Sequence, residues 1–267
     1  MKKRKIDDRL WQFEDGLGYI CHLLIGDRKA LLIDSMCGMG DIESEITRLT
    51  ALPVTVALTH AHFDHIGGAY FFKEALLPAA EQAYIDEEEG HLRMVERKLA
   101  GDGAAFGRWC LRDGARPRFL PVSEGDVIDL GGLTVAAVAL PGHTAGSVGY
   151  LCPEKSLLFS GDAFTPIMCL FFHNSLSVAE YRATLYKAEK LPFTRFLTSH
   201  HKRMFDKAEL NAFDACAAFA ETDRGMYFQH DIIEGFRGRL HIYRGDSSED
   251  DDFLALISKY TKRQRNV

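Results

Sequence analysis

The stretch Thr59-His-Ala-His-Phe-Asp-His65 places three histidines and one aspartate within six residues. It follows Val54–Leu58, a short apolar run that predicts a buried strand. In an extended loop the side chains of His60 and His62 point the same way, because the side-chain period of extended chain is two. Packing gains nothing from adjacent polar groups that would all need partners. The cluster therefore predicts a metal site.

Three further segments share this arrangement, in which a predicted strand ends in a loop that carries a metal-ligand side chain. They are Pro141-Gly-His143 after Val135–Leu140, Ser160-Gly-Asp162 after Leu157–Phe159, and Ser199-His200 after Phe196-Leu197. Together with the first loop they offer five histidines and two aspartates. This set is large enough for two divalent metal ions with positions left open for water. Nitrogen and oxygen ligands favour zinc, with iron and manganese as alternatives.

The overall composition restricts the class of protein. The chain has 267 residues, of which 46% are hydrophobic and 26% charged, as in ordinary globular proteins. Its formal net charge of −6 disfavours general nucleic-acid binding, which requires a basic face. The six cysteines are scattered without a C-x-x-C pair, which disfavours a thiolate metal site.

The N-terminal segment Met1–Lys5 is strongly charged. Ile6, Asp7 and Asp8 then stand where a signal peptide would need a continuous apolar run. No segment approaches the roughly 20 apolar residues of a membrane span. We therefore expect a soluble, cytoplasmic protein that does not bind a membrane.

Strand and helix patterns alternate along the chain. Turn signals at Gly26-Asp27 and Gly131-Gly132 predict two hairpins, and Ser177-x-x-Glu180 is a capping box that opens a predicted helix. Gly67-Gly68 predicts the start of a helix, and residues from about 81 to 111 predict a helical insert after the first metal segment. Residues from about 206 to 267 predict a C-terminal helix and, at Leu240–Tyr243, a strand. Since no repeat or linker interrupts the pattern, we expect one mixed α/β domain over residues 1–267.

Three motifs of the chain resemble those of the metallo-β-lactamase-fold hydrolases. Thr59-His-x-His-x-Asp-His-x-Gly-Gly68 looks like the signature of that superfamily. Pro141-Gly-His-Thr-Ala-Gly-Ser147 and Phe159-Ser-Gly-Asp162 resemble its next two motifs in the same order. The similarity runs from about Tyr19 to about His201. It implies a four-layer αββα sandwich, of the α+β kind, with metal ions at one edge of the two sheets.

The resemblance also implies how the ligands divide between two metal ions. One ion would be held by His60, His62 and His143, the other by Asp64, His65 and His200, and Asp162 would bridge them. The last ligand usually lies in a Pro-Gly-His-Gly context, whereas this chain reads Thr198-Ser-His-His201. The alignment of strand ends favours His200, and His201 would then line the pocket.

The chemistry expected of such a site is hydrolysis. Two neighbouring divalent ions lower the pKa of a shared water and stabilise negative charge on a carbonyl or phosphoryl oxygen. Asp64 is predicted to be catalytic as well as a ligand, because a metal-bound carboxylate can still receive the proton of the attacking water. A serine or cysteine nucleophile is not needed at this site.

Aromatic residues near the metal segments are the candidates for a substrate pocket. The predicted insert carries Tyr84, Phe106 and Trp109, and the stretch after Asp162 carries Phe171, Phe172 and His173. Core packing is the alternative for all of them. The favoured substrate-binding residues are Phe171, Phe172, His173 and His201. Four histidines lack any such context and receive no function, namely His22, His91, His230 and His241.

The leading hypothesis is a hydrolase of a small ester-like molecule, which could be a thioester, a lactone or a carboxylic ester. A phosphodiesterase or nuclease with the same metal site is the alternative, and the acidic charge balance disfavours it. An iron-dependent oxidoreductase is disfavoured because such relatives have Glu where His62 stands. A non-catalytic metal-binding protein would normally have lost ligands. The expected partner is a small-molecule substrate, and the part after Asp206 is expected to cover the pocket or to form a homodimer surface.

Overall fold

The computed structural model describes residues 1–99, 109–229, 236–246, 250 and 252–259, and their strands form three sheets. The first sheet contains, in spatial order, β1 (Lys2–Asp7), β2 (Leu10–Glu14), β3 (Ile20–Ile25), β4 (Ala30–Ile33), β5 (Val54–Ala57), β6 (Glu74–Pro78) and β7 (Arg118–Val122). Strands β1 to β4 are antiparallel to their neighbours, and β4 to β7 run parallel. The hairpin predicted at Gly26-Asp27 joins β3 to β4.

The second sheet has the spatial order β14-β13-β11-β10-β9-β8. Its strands are β8 (Val127–Asp129), β9 (Thr134–Ala139), β10 (Val148–Cys152), β11 (Leu157–Gly161), β13 (Arg195–Thr198) and β14 (Phe205–Asp206). Strands β11 and β13 are parallel, and the other neighbouring pairs are antiparallel. The hairpin predicted at Gly131-Gly132 is the connection between β8 and β9.

The third sheet combines one strand from the middle of the chain with three strands from its C-terminal part. These are β12 (Ile167–Leu170), β15 (Met226–Gln229), β16 (Arg237–Arg244) and β17 (Leu254–Lys259), in the spatial order β12-β17-β16-β15. The strand predicted near residues 240–243 is part of β16. It therefore lies in a separate sheet and does not extend either sheet of the sandwich.

The helices flank the first two sheets. They are α1 (Ile42–Thr47), α2 (Phe63–Ile66), α3 (Ile85–Leu99), α4 (Cys110–Asp113), α5 (Val178–Ala188) and α6 (Leu210–Thr222). The predicted capping box is present at α5, where the Ser177 side chain accepts from the Glu180 N–H and the Glu180 side chain accepts from the Ser177 N–H. Within the described ranges, no helix is long and apolar enough to cross a membrane.

Apolar side chains divide into layers because successive residues of a strand face opposite ways. Along β4, Leu31 and Ile33 pack against the second sheet, whereas Leu32 packs on the opposite face with the helices. On the second sheet, Phe159 faces the first sheet and Leu158 packs with α5 and α6. This arrangement is the four-layer αββα sandwich implied by the resemblance, so the predicted fold is confirmed.

Some local features differ from the sequence-based expectations. The structure has two strands, β1 and β2, before the first strand that the sequence predicts. The residues of β1 are mostly exposed and charged, so β1 lacks the alternation of apolar and polar residues that predicts a strand. The helix expected at Gly67-Gly68 begins earlier, at Phe63, and continues as a 3-10 helix over Gly67–Phe71. The predicted insert forms a 3-10 helix at Ala79–Tyr84 followed by α3. Its residues 100–108 lie outside the described residues, as do residues 260–267.

Candidate metal centre

Four strand ends of the first two sheets meet at one edge of the sandwich. The segment after β5, which we call the first ligand loop, carries His60 to His65 and runs from His62 into α2. The ends of β9, β11 and β13 lead to the other predicted ligands. Their donor atoms form three groups, each with atoms within 4.8 Å of one another, namely His60/His62/His143, His60/His65/Asp162 and Asp64/His65/His200. The structure thus brings together all seven residues that the sequence analysis proposed as ligands.

Two glycines allow the backbone segments of this edge to approach closely. A Cβ added at Gly67 would lie 2.2 Å from the carbonyl carbon of Cys37, in the loop after β4. Gly161 has a φ of +53°, and a Cβ there would lie 2.4 Å from Thr59 Oγ1. A side chain at Gly67 would push the first ligand loop away from the loop after β4, and one at Gly161 would push it away from the segment of Asp162.

Hydrogen bonds fix which ring nitrogen of the histidines faces the centre. His65 Nδ1 donates to Asp34 Oδ2 at 2.9 Å, and His143 Nδ1 donates to the Cys169 carbonyl at 2.8 Å. Thr59 Oγ1 donates to Asp34, so it accepts from His60 Nδ1, which lies 3.0 Å away. In all three rings Nε2 is therefore the nitrogen that faces the centre, and it offers a lone pair to a metal ion whenever the ring is neutral.

Three atoms in this centre are buried without a hydrogen-bond partner among the described residues. They are His60 Nε2, His65 Nε2 and Asp162 Oδ1. Buried polar atoms nearly always have a partner, because leaving one unpaired is costly. Divalent cations bound at this centre would satisfy all three atoms. The donor set therefore fits the metal ions that the sequence predicted.

The two aspartates differ in position. The Oδ2 atom of Asp162 lies 3.0 Å from His200 Nε2 and 3.4 Å from His143 Nε2, and its Oδ1 atom lies 3.4 Å from His65 Nε2. Asp64 lies 3.4 Å from His200 Nε2 through Oδ2 and 3.9 Å from His65 Nε2 through Oδ1. Asp162 is thus near ligands of both predicted metal positions, whereas Asp64 lies beside the two histidines of its own position.

The electrostatic environment divides the histidines into two kinds. Burial and neighbouring imidazoles hold the pKa of His60 and of His62 well below the usual value. Burial also lowers the pKa of His65 and of His200, but the surrounding aspartates, chiefly Asp162, together outweigh it and raise both pKa values. The low pKa keeps His60 and His62 neutral, as metal ligands must be. A metal ion that binds His65 and His200 must displace their protons.

Asp34 is the main residue of this centre that the sequence analysis missed. Its buried carboxylate accepts hydrogen bonds from the Thr59 N–H at 2.8 Å, from Ser199 Oγ at 2.7 Å and from His65 Nδ1. It therefore ties the first ligand loop to the residue before His200. An acidic residue directly after the buried apolar strand β4 was the signal that could have revealed it.

Two buried glutamates also support the ligand loops. Glu81 accepts from the Ala61 N–H at 3.1 Å and from the Gly146 N–H at 3.0 Å, so it joins the loops of the two sheets. Glu88 accepts from the Phe63 N–H at 2.9 Å. Burial raises the pKa of both carboxyl groups. In the sequence they belong to an acidic helical stretch, which gives no sign that they are buried.

A pocket of ≈ 360 Å³ opens beside the candidate metal centre. Its walls include Tyr19, Phe63, Phe172, His201 and Phe236. The Phe172 ring lies 4.3 Å from the His62 ring and 5.2 Å from the His143 ring, centroid to centroid. Aromatic side chains therefore shield this side of the centre from water.

The proposed substrate-binding residues fall into two groups. Phe172 and His201 line the pocket. Phe171 is buried and stacks behind Phe172 with a centroid distance of 4.2 Å, and His173 is exposed beside Tyr84, at 5.4 Å. Neither Phe171 nor His173 is part of the pocket lining. From the predicted insert, Trp109 is buried in the core with the first sheet, and Phe106 lies outside the described residues.

The family model of the metallo-beta-lactamase superfamily matches residues 18–200. The chain belongs to the metallo-beta-lactamase superfamily. This confirms the predicted family. The match includes His60 to His65, His143, Asp162 and His200.

Curated relatives of this superfamily member match it over about half of its length. The acyl-coenzyme A thioesterase MBLAC2 of Gallus gallus is 30% identical over 165 residues, which cover 56% of this chain and 59% of that protein. The hydroxyacylglutathione hydrolase GloC of Haemophilus influenzae is 30% identical over 146 residues, covering 53% and 65%. The chain thus spans less than two thirds of the length of these relatives.

Solved structures of the superfamily show the same fold. The crystal structure of a metallo-beta-lactamase family protein from Thermus thermophilus aligns with a TM-score of 0.59 and 19% identity. The alignment covers 79% of this superfamily member and 80% of the other chain. At this identity the likeness supports the fold alone.

Proposed function

We propose that this protein is a binuclear metal-dependent hydrolase that cleaves small acyl thioesters. The observation that carries the proposal is the set of three buried, unpartnered atoms on His60, His65 and Asp162, beside a pocket with aromatic walls. The donor set calls for divalent cations, and the pocket provides space for an uncharged acyl group next to them.

Each metal position has its own ligands in this proposal. His60, His62 and His143 would hold one ion, Asp64, His65 and His200 would hold the other, and Asp162 lies near ligands of both. Zinc is proposed because the donors are nitrogen and carboxylate oxygen, although iron and manganese accept the same donors. When bound, the ions supply a hydroxide at neutral pH and polarise the thioester carbonyl.

The residues of the chain orient the ligands and move protons. Asp34 and the Cys169 carbonyl hold the rings of His65 and His143 with Nε2 towards the centre. Asp64 lines the pocket and takes the proton of the attacking water. As the new C–O bond forms and the C–S bond breaks, this proton passes to the departing sulfur, which leaves as a thiol.

The choice of thioesters rests on the relatives and on the pocket. Two of the relatives are named as an acyl-coenzyme A thioesterase and a hydroxyacylglutathione hydrolase, and both names denote thioester cleavage. Among the described lining residues of the pocket there is no lysine or arginine to bind a phosphate. This favours an uncharged acyl group over the phosphodiester of the alternative hypothesis.

The test is a metal-dependent activity screen. Protein reconstituted with zinc, iron or manganese is assayed with an acyl thioester, the oxygen ester of the same acyl group, a lactone and bis(4-nitrophenyl) phosphate. We expect the thioester to give the highest kcat/KM. A preference for the phosphodiester would favour the alternative, and failure of all four substrates with every metal would refute the proposal.

The variant Asp64→Asn tests the proposed proton transfer by Asp64. It should lower kcat/KM about 10²- to 10⁴-fold, the usual contribution of a proton-transferring residue. Asp8→Asn is the control, because the Asp8 side chain is 97% exposed. Circular dichroism checks that both variants are folded, and wild-type activity of Asp64→Asn would contradict the role of Asp64.

A further inference from the structure

A second pocket, of ≈ 370 Å³, lies on the third sheet. Its described lining includes Asp223, Arg224, Arg239, His241 and Ser258, and it shares no described lining residue with the pocket of the metal centre. We call it the third-sheet pocket. Its residues come from β16, β17 and the segment that follows α6. Neither the family motifs nor the sequence analysis gave any of them a function.

Three side chains of the third-sheet pocket form a hydrogen-bonded chain. Asp223 Oδ2 lies 3.0 Å from His241 Nδ1, and His241 Nε2 lies 2.9 Å from Ser258 Oγ. Because an ionised carboxylate only accepts, Nδ1 carries the ring hydrogen and Nε2 carries the lone pair. The Ser258 hydroxyl therefore donates to Nε2. This is the order of groups that activates the nucleophile in serine hydrolases.

The backbone around this chain holds the ring and the carboxylate in place. The Gly225 N–H donates to Asp223 Oδ2 at 3.0 Å. Gly225 has a φ of +59°, and a Cβ there would lie 2.7 Å from His241 Cε1, so the turn is folded directly against the ring. Partial burial would raise the pKa of Asp223, but the hydrogen bonds from His241 and Gly225 hold it below its usual value.

Ser258 can be reached from the third-sheet pocket, unlike a serine that is enclosed in a hydrophobic core. His241 and Ser258 lie on the adjacent antiparallel strands β16 and β17, where Ser258 is opposite Arg239. The His241 side chain is only 2% exposed, whereas Ser258 is half-buried and lines the pocket. A molecule in the pocket therefore reaches the hydroxyl while the base behind it stays shielded from water.

The charge of the third-sheet pocket indicates the class of molecule that it accepts. Arg224 and Arg239 contribute to the lining, and Asp223 is the only acidic residue among the described lining residues. The Arg239 guanidinium donates to the Arg224 carbonyl at 3.0 Å, which holds it at the pocket. Two guanidinium groups in a polar hollow attract a ligand with a carboxylate or similar anionic group.

We propose that Ser258 is a second nucleophile of this protein, which cleaves small anionic carboxylic esters independently of the metal centre. Ser258 Oγ bonds to the ester carbonyl carbon while its proton passes to His241 Nε2. The bond from that carbon to the alcohol oxygen then breaks, and the alcohol leaves with the proton. Water repeats the sequence on the acyl-serine, which releases the acid and restores the hydroxyl.

Covalent labelling of the full-length, metal-loaded protein tests the nucleophile. A fluorophosphonate probe should add once, at Ser258, with loss of fluoride and of the hydroxyl proton, and peptide mass spectrometry locates the adduct. Ser258→Ala should abolish the adduct, and His241→Gln should slow its formation at least about 10²-fold, since the general base is lost. Ser123→Ala is the control at an exposed serine. Absence of an adduct at Ser258 in folded wild-type protein overturns the proposal.

Ester turnover tests the reaction and its substrate class. The Asp162→Asn background disables the metal centre, and 4-acetoxybenzoate is compared there with the neutral 4-nitrophenyl acetate. We expect Ser258→Ala to lower turnover of the anionic ester at least about 10²-fold. Arg239→Gln should raise KM for the anionic ester by a larger factor than KM for the neutral ester. Equal turnover with and without Ser258 overturns the proposal, whatever the outcome of the thioester screen, and thermal melting confirms that each variant is folded.

Discussion

The two sheets of the sandwich contribute to the candidate metal centre in different ways. The first sheet supplies His60, His62, Asp64 and His65 from one loop after β5, whereas the second supplies one residue from each of three strand ends. The geometry of the first group depends on local chain conformation. The geometry of the second depends on the alignment of β9, β11 and β13 with one another and with β5. The ligands of the first sheet are therefore placed by local chain conformation. The ligands of the second sheet are placed by contacts between segments far apart in the sequence.

The supports of the two groups differ as well. Side-chain carboxylates hold the first loop, since Asp34, Glu81 and Glu88 all accept hydrogen bonds from it. On the second sheet, the ring of the ligand His143 donates to the backbone carbonyl of Cys169, and these carboxylates contact only neighbours of the ligands, Gly146 through Glu81 and Ser199 through Asp34. Substitution of single side chains should therefore disturb the first loop more easily than the second-sheet segments.

Asp162→Asn removes the carboxylate that lies near ligands of both groups. We expect metal content to fall from two ions per chain to one or fewer. Thioester kcat/KM should fall by at least about 10³-fold, because the metal-derived stabilisation of the transition state is worth several kcal/mol. Elemental analysis and steady-state kinetics measure the two effects. Retention of two tightly bound ions would show that the groups do not depend on a shared carboxylate.

Asp34→Asn tests the support of the first loop. The Asp34 carboxylate accepts hydrogen bonds at both of its oxygens, from Thr59, His65 and Ser199. The amide of asparagine has one oxygen and cannot accept all of them. We expect metal affinity to fall about 10- to 100-fold, as for other residues that orient metal ligands. Titration with zinc in competition with a chelator measures this, and Asp8→Asn serves as control. An unchanged affinity would mean that the ligand rings are held without Asp34.

Glu81→Gln tests the connection between the two sheets. The glutamine oxygen can accept from only one of the Ala61 and Gly146 N–H groups. The other backbone N–H then faces the NH2 group of the glutamine side chain and loses its acceptor. The expected cost is about 1–3 kcal/mol in the free energy of unfolding, the penalty for one unsatisfied buried group. Urea denaturation compares it with Glu87→Gln, a glutamate of the same acidic stretch that is 44% exposed. Equal stability of the two variants would contradict the role of Glu81.

Ser177→Ala tests whether the second-sheet loops depend on α5. This helix contacts one of them through Thr184 Oγ1, which donates to the Pro141 carbonyl at 2.6 Å. Loss of the helix cap should lower the free energy of unfolding by about 1 kcal/mol. Metal affinity should not change, because the first turn of the helix lies away from this contact. A parallel loss of metal affinity would show that the cap also positions the ligands.

Much of the sandwich was predictable because its signals are local. The turns at Gly26-Asp27 and Gly131-Gly132 and the capping box at Ser177 each lie within a few residues, and all three features are present. The third sheet was not predictable in the same way. It pairs β12 with β17, which are more than 80 residues apart in the chain, and no local pattern indicates that pairing.

The pocket shows the same limit at the level of single residues. Phe171 and Phe172 are adjacent and chemically identical, yet Phe171 is buried in the core and Phe172 lines the pocket. Neighbouring side chains in extended chain face opposite ways, but this pattern does not show which of them faces the core and which faces the pocket. Asp34 and Glu81 were missed for a related reason, since their role depends on N–H groups 20 or more residues away.

The sequence by itself determined the family, the αββα sandwich and the set of candidate donor side chains, because spacing and residue type are properties of the local chain. Only the tertiary structure decided which donors converge, which ring nitrogens face the centre and which histidines gain or lose basicity. It also decided that His241, which the sequence left without a role, stands between Asp223 and Ser258. These outcomes depend on distances between segments that meet only when the sheets pack, and packing is a property of the whole chain.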